Sequence, residues 1–504
     1  MPGIRRSLFF SFSQAYVGNA LAFISVMVIA RLLTPQEIGI YAVAMAVISI
    51  AYILRDFGIG QFIIQERELT RDKIRTAFGV SLVICWTLGT LVLATRGVVA
   101  DFYGEPGLID VMTVLSINFF VVPFNVPMMS TLAREMQFGK LFWISTISGV
   151  IGMTVVITLA ATGHSYMSMA WSSIASTFAT LLLSIAFHRR GLVLLPSFKH
   201  WRAVLSYGGY ALGGTSLRQL GNIAPDLIVG RMLGFAPVAQ LSRALGLIEI
   251  YYRVVMEGIG RVAFSSWAKR LREGGDLKAD YLRALEFLTA LAWPFFIFLG
   301  LMAHHVVNLL YGDQWADAVD LARILCVNGI FLPFIHLVPG FLMATGNAKQ
   351  MFRLSSVTVP ISITAIIIGS QHSLVAVGMA LVVAYLLNVC LHHLFMRRTI
   401  GISFDDIIRV SGRSLIIALA TAIPPVTTVF LTGLTPNNFL LPLLIAGTTA
   451  SLAWLGAVWA SNHPIKGEVM NATRMAIRKI HEILFNYRVR QMHDSDKSRP
   501  SEGI

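Results

Sequence analysis

Glu249, Arg253, Glu257 and Arg261 recur at every fourth residue within the otherwise apolar stretch 238–262. On a helix this spacing sets them along one face with alternating sign. Arg218 and Asp226 lie in the apolar stretch before it. No acid stands one turn from Arg218, and Asp226 is two turns on. Arg55 and Asp56 sit in the last third of another apolar stretch, Arg323 and His336 share a further one, and the amides Asn19 and Gln219 are also embedded in apolar runs. Arginines in such surroundings are fixed cations with several donors each, which suits reversible capture of an anion. The binding candidates are therefore Asn19, Arg55, Asp56, Arg218, Gln219, Asp226, Glu249, Arg253 and Glu257. Asp56, Glu249 and His336 are the candidates for carrying a proton or ion. No phosphate-binding GxxxxGK[ST] loop, metal-ligand spacing or nucleophile–base pattern accompanies them. The expectation is a chain that is not an enzyme and holds no metal or cofactor.

Composition dictates what holds these residues. Hydrophobic residues make up 56% of the 504 and charged residues only 13%, against roughly 25% charged in an average soluble domain. So much apolar surface calls for lipid as solvent. The net charge of +14 lies in short Lys/Arg clusters between apolar stretches. That pattern faces anionic membrane lipids and is not a nucleic-acid-binding surface. Cys85, Cys326 and Cys390 lie inside apolar stretches without metal-ligand spacing, and no disulfide is expected. The basic pair Arg5 and Arg6, followed by an apolar run to Arg31, reads as a first span and not as a cleaved signal.

A bilayer span takes about 20 mostly apolar residues. The chain reads as an all-α integral membrane protein of about fourteen transmembrane helices, over 7–31, 38–62, 76–98, 108–132, 141–162, 166–187, 205–231, 238–262, 283–305, 317–343, 350–370, 374–396, 410–431 and 438–460. Basic residues concentrate in alternate connections. Arg67, Arg71, Lys73 and Arg75, then Arg134 and Lys140, then Arg189, Arg190, Lys199 and Arg202 fall on the side of the N-terminus. The other side carries Asp101, Glu105, Asp110, Asp313 and Asp317. The positive-inside rule then places both termini in the cytoplasm. Beyond Pro464, apolar residues at helical spacing among Arg474, Arg478, Lys479, Arg488 and Arg490 predict an amphipathic basic helix on anionic lipid or in solvent.

The chain also repeats itself. Residues 28–61 align without gaps to 228–261, with Arg31/Arg231, Leu33/Leu233, Ala44/Ala244, Ile48/Ile248, Ile50/Ile250, Tyr52/Tyr252 and Gly58-Ile59-Gly60/Gly258-Ile259-Gly260 identical. Chance would give roughly two or three such matches. Tyr103-Gly104 then matches Tyr311-Gly312, and Asn118 and Pro123-Phe124 match Asn328 and Pro333-Phe334. Spans 1–6 and 7–12 thus form two parallel six-helix repeats, with spans 13–14 added. The corresponding domains are 1–190, 191–398, 399–462 and a tail, 463–504. Two such halves can enclose a cavity and rock about it, which is a transporter architecture. The charged face of span 8 then has two readings: its pairs neutralise one another and lock the helix to a neighbour, or they line that cavity.

Ala30-Arg31-Leu32-Leu33-Thr34-Pro35-Gln36-Glu37-Ile38-Gly39-Ile40-Tyr41-Ala42, with Asp56-Phe57-Gly58-Ile59-Gly60 and Gln65, resembles the N-terminal signature of the polysaccharide transporter family. These are Wzx-type oligosaccharide flippases of the multidrug/oligosaccharidyl-lipid/polysaccharide (MOP) superfamily. Arg134-Glu135-Met136-Gln137-Phe138 and Gly230-Arg231-Met232-Leu233-Gly234 with Leu241-Ser242-Arg243-Ala244 are similar to two further family segments, although Leu241 stands where the family has an aromatic residue. The resemblance implies flipping of an undecaprenyl-pyrophosphate-linked oligosaccharide (an exopolysaccharide or O-antigen lipopolysaccharide repeat unit) from the cytoplasmic to the periplasmic leaflet of a bacterial inner membrane. It implies Arg55, Arg218 and Arg253 as diphosphate contacts, with anionic lipids and polysaccharide polymerase or chain-length proteins as partners, and no nucleic acid. The alternatives are a MurJ-type peptidoglycan-precursor flippase, a multidrug antiporter and a polymerase of the same pathway. The short predicted connections on the far side speak against the polymerase.

Overall fold

The computed structural model describes residues 2–55, 58–188, 195–199, 201–432, 439–471, 473–475 and 478, and among these no strand occurs. The helices are α1 (Pro2–Leu32), α2 (Pro35–Arg55), α3 (Ile59–Gln65), α4 (Arg71–Tyr103), α5 (Gly107–Arg134), α6 (Phe138–Ala161) and α7 (Met167–Phe187). They continue as α8 (Trp201–Met232), α9 (Phe235–Tyr251), a π-helical turn (Tyr252–Met256), α10 (Glu257–Glu273), α11 (Leu277–Leu301) and α12 (Ala303–Tyr311). A 3-10 turn (Asp313–Trp315) leads to α13 (Ala316–Ala344), α14 (Ala348–Ser370), α15 (Leu374–Ile400), α16 (Phe404–Thr432) and α17 (Leu440–Ala460).

The described parts of the fourteen expected spans fall on helices, but only twelve stretches among the described residues are long and apolar enough to cross a membrane. The two that fall short are α8, with Arg218 and Asp226, and the α9–α10 stretch, with Arg243, Glu249, Arg253 and Glu257. Both carry ionisable side chains among their apolar residues. Of the predicted tail helix, residues 465–471, 473–475 and 478 are described, all as helix; most of it lies outside the described residues.

Local chemistry sets the element ends. Thr34 and Glu37 form a reciprocal capping box at the start of α2. The Thr34 N–H donates to Glu37 Oε2 at 2.7 Å, and the Glu37 N–H donates to Thr34 Oγ1 at 3.3 Å. Pro35 occupies the first helical position, where its missing N–H is harmless. Span 2, expected as one helix, is instead α2 followed by α3. Gly58 caps α3 with φ 71°, a left-handed conformation that favours glycine. Arg134, at the end of α5, clasps the other end of α3. Its Nη1 donates to the carbonyls of Ile63 (2.8 Å), Ile64 (3.1 Å) and Glu66 (2.6 Å), which the short helix leaves without intrahelical partners. Lys73, 2.9 Å from Glu66, holds that carboxyl below its ordinary range.

The duplication is visible in the packing. Within the first half α1 packs on α6, α6 on α7, α5 on α7, α2 on α5 and α4 on α5. The same pairings recur as α8 on α14, α14 on α15, α13 on α15, α9 on α13 and α11 on α13. Helices α16 and α17 attach to the outside of α11 through polar pins. Thr289 and Ser414 lie 2.8 Å apart, the indole N–H of Trp454 donates to the Ala290 carbonyl at 3.0 Å, and Ser414 lies 3.3 Å from His463 Nε2. Burial, with a contribution from Arg413, pushes His463 down to about 4, so this pin is neutral at ordinary pH.

Candidate functional site

The polar side chains of α8 and α9 meet at the π-helical turn. There the Glu257 N–H bonds back five residues to the Tyr252 carbonyl. The wider turn departs from the four-residue period, so the ladder expected along one straight face is not continuous. Glu249 and Arg253 keep their pair, with Arg253 Nε 3.0 Å from Glu249 Oε1, and both side chains are about half exposed. Glu257 follows beyond the turn, exposed, and the side chain of Arg261 lies outside the described residues. The pair engages Arg253 through Nε.

Three further elements close on this turn. From α13, the ring of His336 stands edge-on to Tyr252 at 4.7 Å between centroids and faces the backbone of Gly260. A methyl group at Gly260 would lie 3.5 Å from His336 Nε2. From α8, Arg218 lies within electrostatic range of both Tyr252 and His336. From α15, Tyr385 lies within range of Glu249 and Tyr252. The structure thus gathers Arg218, Glu249, Arg253, Glu257 and His336 into one cluster. It adds Tyr252 and Tyr385, which sequence reasoning did not propose. Tyr252 carried a signal as an identical position of the duplication; Tyr385 lies in an apolar run with nothing to mark it.

The other candidates lie elsewhere. Arg55 stacks over Tyr52 at 4.3 Å, at the position of the first half that matches the π-helical turn of the second. Asp56 lies outside the described residues. Asn19 lines an open groove of about 410 Å³ on α1 with Ser11, Gln14, Ala15 and Gly18. Gln219 is exposed beside Arg218. Asp226, two turns along α8, is half-buried, and no charged side chain among the described residues pairs with it. Arg323 pairs with Asp320 at 3.0 Å on its own helix. His305 is buried, its ring 6.1 Å from that of Phe439.

The face of the bundle opposite the N-terminus is shut. Gly39 on α2 meets Phe235 on α9 so closely that any Cβ there would stand 1.9 Å from the Phe235 carbonyl oxygen. Val43 fills the space above Gly230, and the Tyr103 hydroxyl donates to the Leu227 carbonyl at 3.1 Å. Towards the N-terminal face the substantial contacts between the halves are those of α3 and α4 with α8. Arg218, Glu249, Arg253 and Glu257 are exposed although they lie well inside long helices. The two halves thus meet closely at the far end, and the exposed charges lie partway along α8 and the α9–α10 stretch of the second half.

A family of polysaccharide biosynthesis proteins matches residues 28–320, more than half of the chain. The chain belongs to this family. Among its relatives, the lipopolysaccharide biosynthesis protein WzxC of Escherichia coli (strain K12) is 23% identical over 398 residues, covering 77% of this chain and 80% of WzxC. The succinoglycan biosynthesis transport protein ExoT of Rhizobium meliloti (strain 1021) is 23% identical over 342 residues, covering 66% and 67% of the two chains. Among solved structures, the lipid II flippase MurJ in an inward closed conformation superposes with a TM-score of 0.72 at 13% identity, covering 89% of this chain and 98% of that one. An inward-facing multidrug resistance MATE transporter gives 0.62 at 16% identity, covering 76% and 94%. At these identities the likeness is one of fold, that of the MOP superfamily. This polysaccharide biosynthesis protein is therefore a multi-pass bacterial membrane protein with the fold of membrane transporters, as the signature around Arg31–Gly60 implied.

Proposed function

We propose that this polysaccharide biosynthesis protein flips an undecaprenyl-pyrophosphate-linked oligosaccharide from the cytoplasmic to the periplasmic leaflet of the inner membrane, with both termini in the cytoplasm. What supports the reading is the exposed cluster of Arg218, Glu249 and Arg253 around the π-helical turn, which in this reading faces a cleft between two rocking halves. A diphosphate needs hydrogen-bonding cations in a water-accessible space, and guanidinium groups offer paired donors to phosphate oxygens. A hydrated sugar needs polar partners such as Asn19 and Gln219. The polyprenyl chain needs neither and stays in lipid. Arg55 is the corresponding cation of the first half. Glu249, His336 and Asp56 are the groups through which an ion or proton gradient would act. Anionic lipids lie against the basic loops, and polymerase or chain-length proteins would receive the product.

Analysis of lipid extracts from a deletion strain tests this reading. The expected outcome is accumulation of complete lipid-linked repeat units, with loss of surface polymer and normal cell-wall synthesis. Accumulation of a peptidoglycan precursor instead, with loss of viability, would assign the chain to the MurJ-type alternative. Unchanged intermediates and unchanged polymer would refute the flippase.

A further inference from the structure

The shut end of the cleft is held by an exchange of hydrogen bonds whose acceptors are orphaned helix carbonyls. Thr34 directs its N–H to Glu37, so it does not close the last turn of α1, and the Ala30 carbonyl is left without its usual intrahelical donor. That carbonyl accepts instead from the other half: from the indole N–H of Trp315 at 2.8 Å, and from the Gln314 side-chain amide. Gln314 also donates to the Leu33 carbonyl at 3.1 Å. In return, Arg31 at the end of α1 donates from Nη2 to the carbonyl of Leu309 in the last turn of α12, at 2.6 Å. Each half thus satisfies the open helix end of the other.

The exchange follows the duplication. Arg31 and Arg231 are matched positions, at the ends of the first helix of each half. Tyr103 and Tyr311 are matched as well, so residues 101–102 correspond to 309–310. Arg31 crosses to Leu309, and Arg231 crosses the other way to stack over the ring of Phe102 at 5.0 Å. The two arginines span the same seam in opposite directions about the axis of the repeat. Trp315 extends the device inward, because Arg243 on α9 lies over its ring at 5.2 Å and over Tyr311 at 5.6 Å. All these groups can be satisfied by water once separated, so the contacts are individually weak and reversible. That is what a gate requires, as opposed to a permanent seam.

We propose that Arg31 and Arg231 are the paired gate residues of the far-side opening, each holding its half across the seam until the cleft opens outward. The inference rests on the alternating-access reading, but its test needs no sugar substrate, so failure of one is distinguishable from failure of the other. In a chain carrying Cys85→Ser, Cys326→Ala and Cys390→Ser, two reporters are compared: Val43→Cys, buried in the seam, and Gln219→Cys, in the cleft. A membrane-impermeant maleimide is added to right-side-out and to inverted vesicles. Arg31→Ala with Arg231→Ala should label Val43→Cys at least fivefold faster from the far face and Gln219→Cys more slowly from the N-terminal face. Arg31→Lys, which keeps a donor, should fall between. No change at Val43→Cys would overturn the proposal. So would faster labelling of both reporters, which marks general loosening and not a gate.

Discussion

Arg218→Ala combined with Arg253→Ala should abolish surface polysaccharide while the chain accumulates in the membrane at its ordinary level. A hydrogen bond to a charged group contributes about 1.5–3 kcal/mol, or roughly ten- to a hundredfold in binding. Each single substitution should therefore reduce polymer output strongly, and the pair should leave none detectable. Among the described residues neither side chain is buried. Both are exposed, and the i,i+4 pair of Arg253 with Glu249 contributes only about 0.3–0.5 kcal/mol in water. Arg218→Lys keeps the charge without the paired donors and should retain part of the output. Polymer yield, normalised to the amount of chain in the membrane, is the readout. Wild-type yield from the double variant would remove the cluster from the binding site.

Gly39→Ala should be nearly as severe, for a different reason. Its Cβ would stand 1.9 Å from the Phe235 carbonyl oxygen, and the obstacle is backbone, which cannot turn aside as a side chain can. Helices α2 and α9 must separate, and overpacking of this kind typically costs 1–3 kcal/mol. The cost falls on the state in which the far face is shut, so the balance moves toward the open state roughly five- to 150-fold. Val43→Cys should then label faster from the far face, and transport should fall because the inward-accessible state is depopulated. Gly97→Ala is the control. It meets nothing within 4 Å and should behave as wild type. Equal labelling in the two variants would show that the close approach of α2 and α9 does not set the balance.

Most of the fold was legible because lipid imposes one strong rule, a long apolar run for each span, which twelve stretches among the described residues meet. The duplication was legible because Gly58-Ile59-Gly60 and Gly258-Ile259-Gly260 recur in register. The expectation failed at bends. Nothing in the apolar pattern marks the break at Gly58 before α3, and nothing marks Tyr252–Met256 as π-helical, since both depend on which side chains meet from other helices. The same holds for the site. Arg218, Arg253 and Glu249 announced themselves by their cost in lipid. Tyr385 reaches the cluster only through the packing of α15. The gate was illegible because its acceptors are backbone carbonyls, which carry no residue type.

The central claim is that the charged cleft carries a lipid-linked diphosphate sugar across the bilayer. The most direct measurement reconstitutes the purified chain with such a lipid in liposomes and follows how much of the headgroup an externally added glycosidase can reach. The account predicts that liposomes with the chain expose nearly all of it over time, while those without protein, or with Arg218→Ala/Arg253→Ala, expose only the outer-leaflet half. Equal exposure with and without the chain, or undiminished exposure with the double variant, would contradict it.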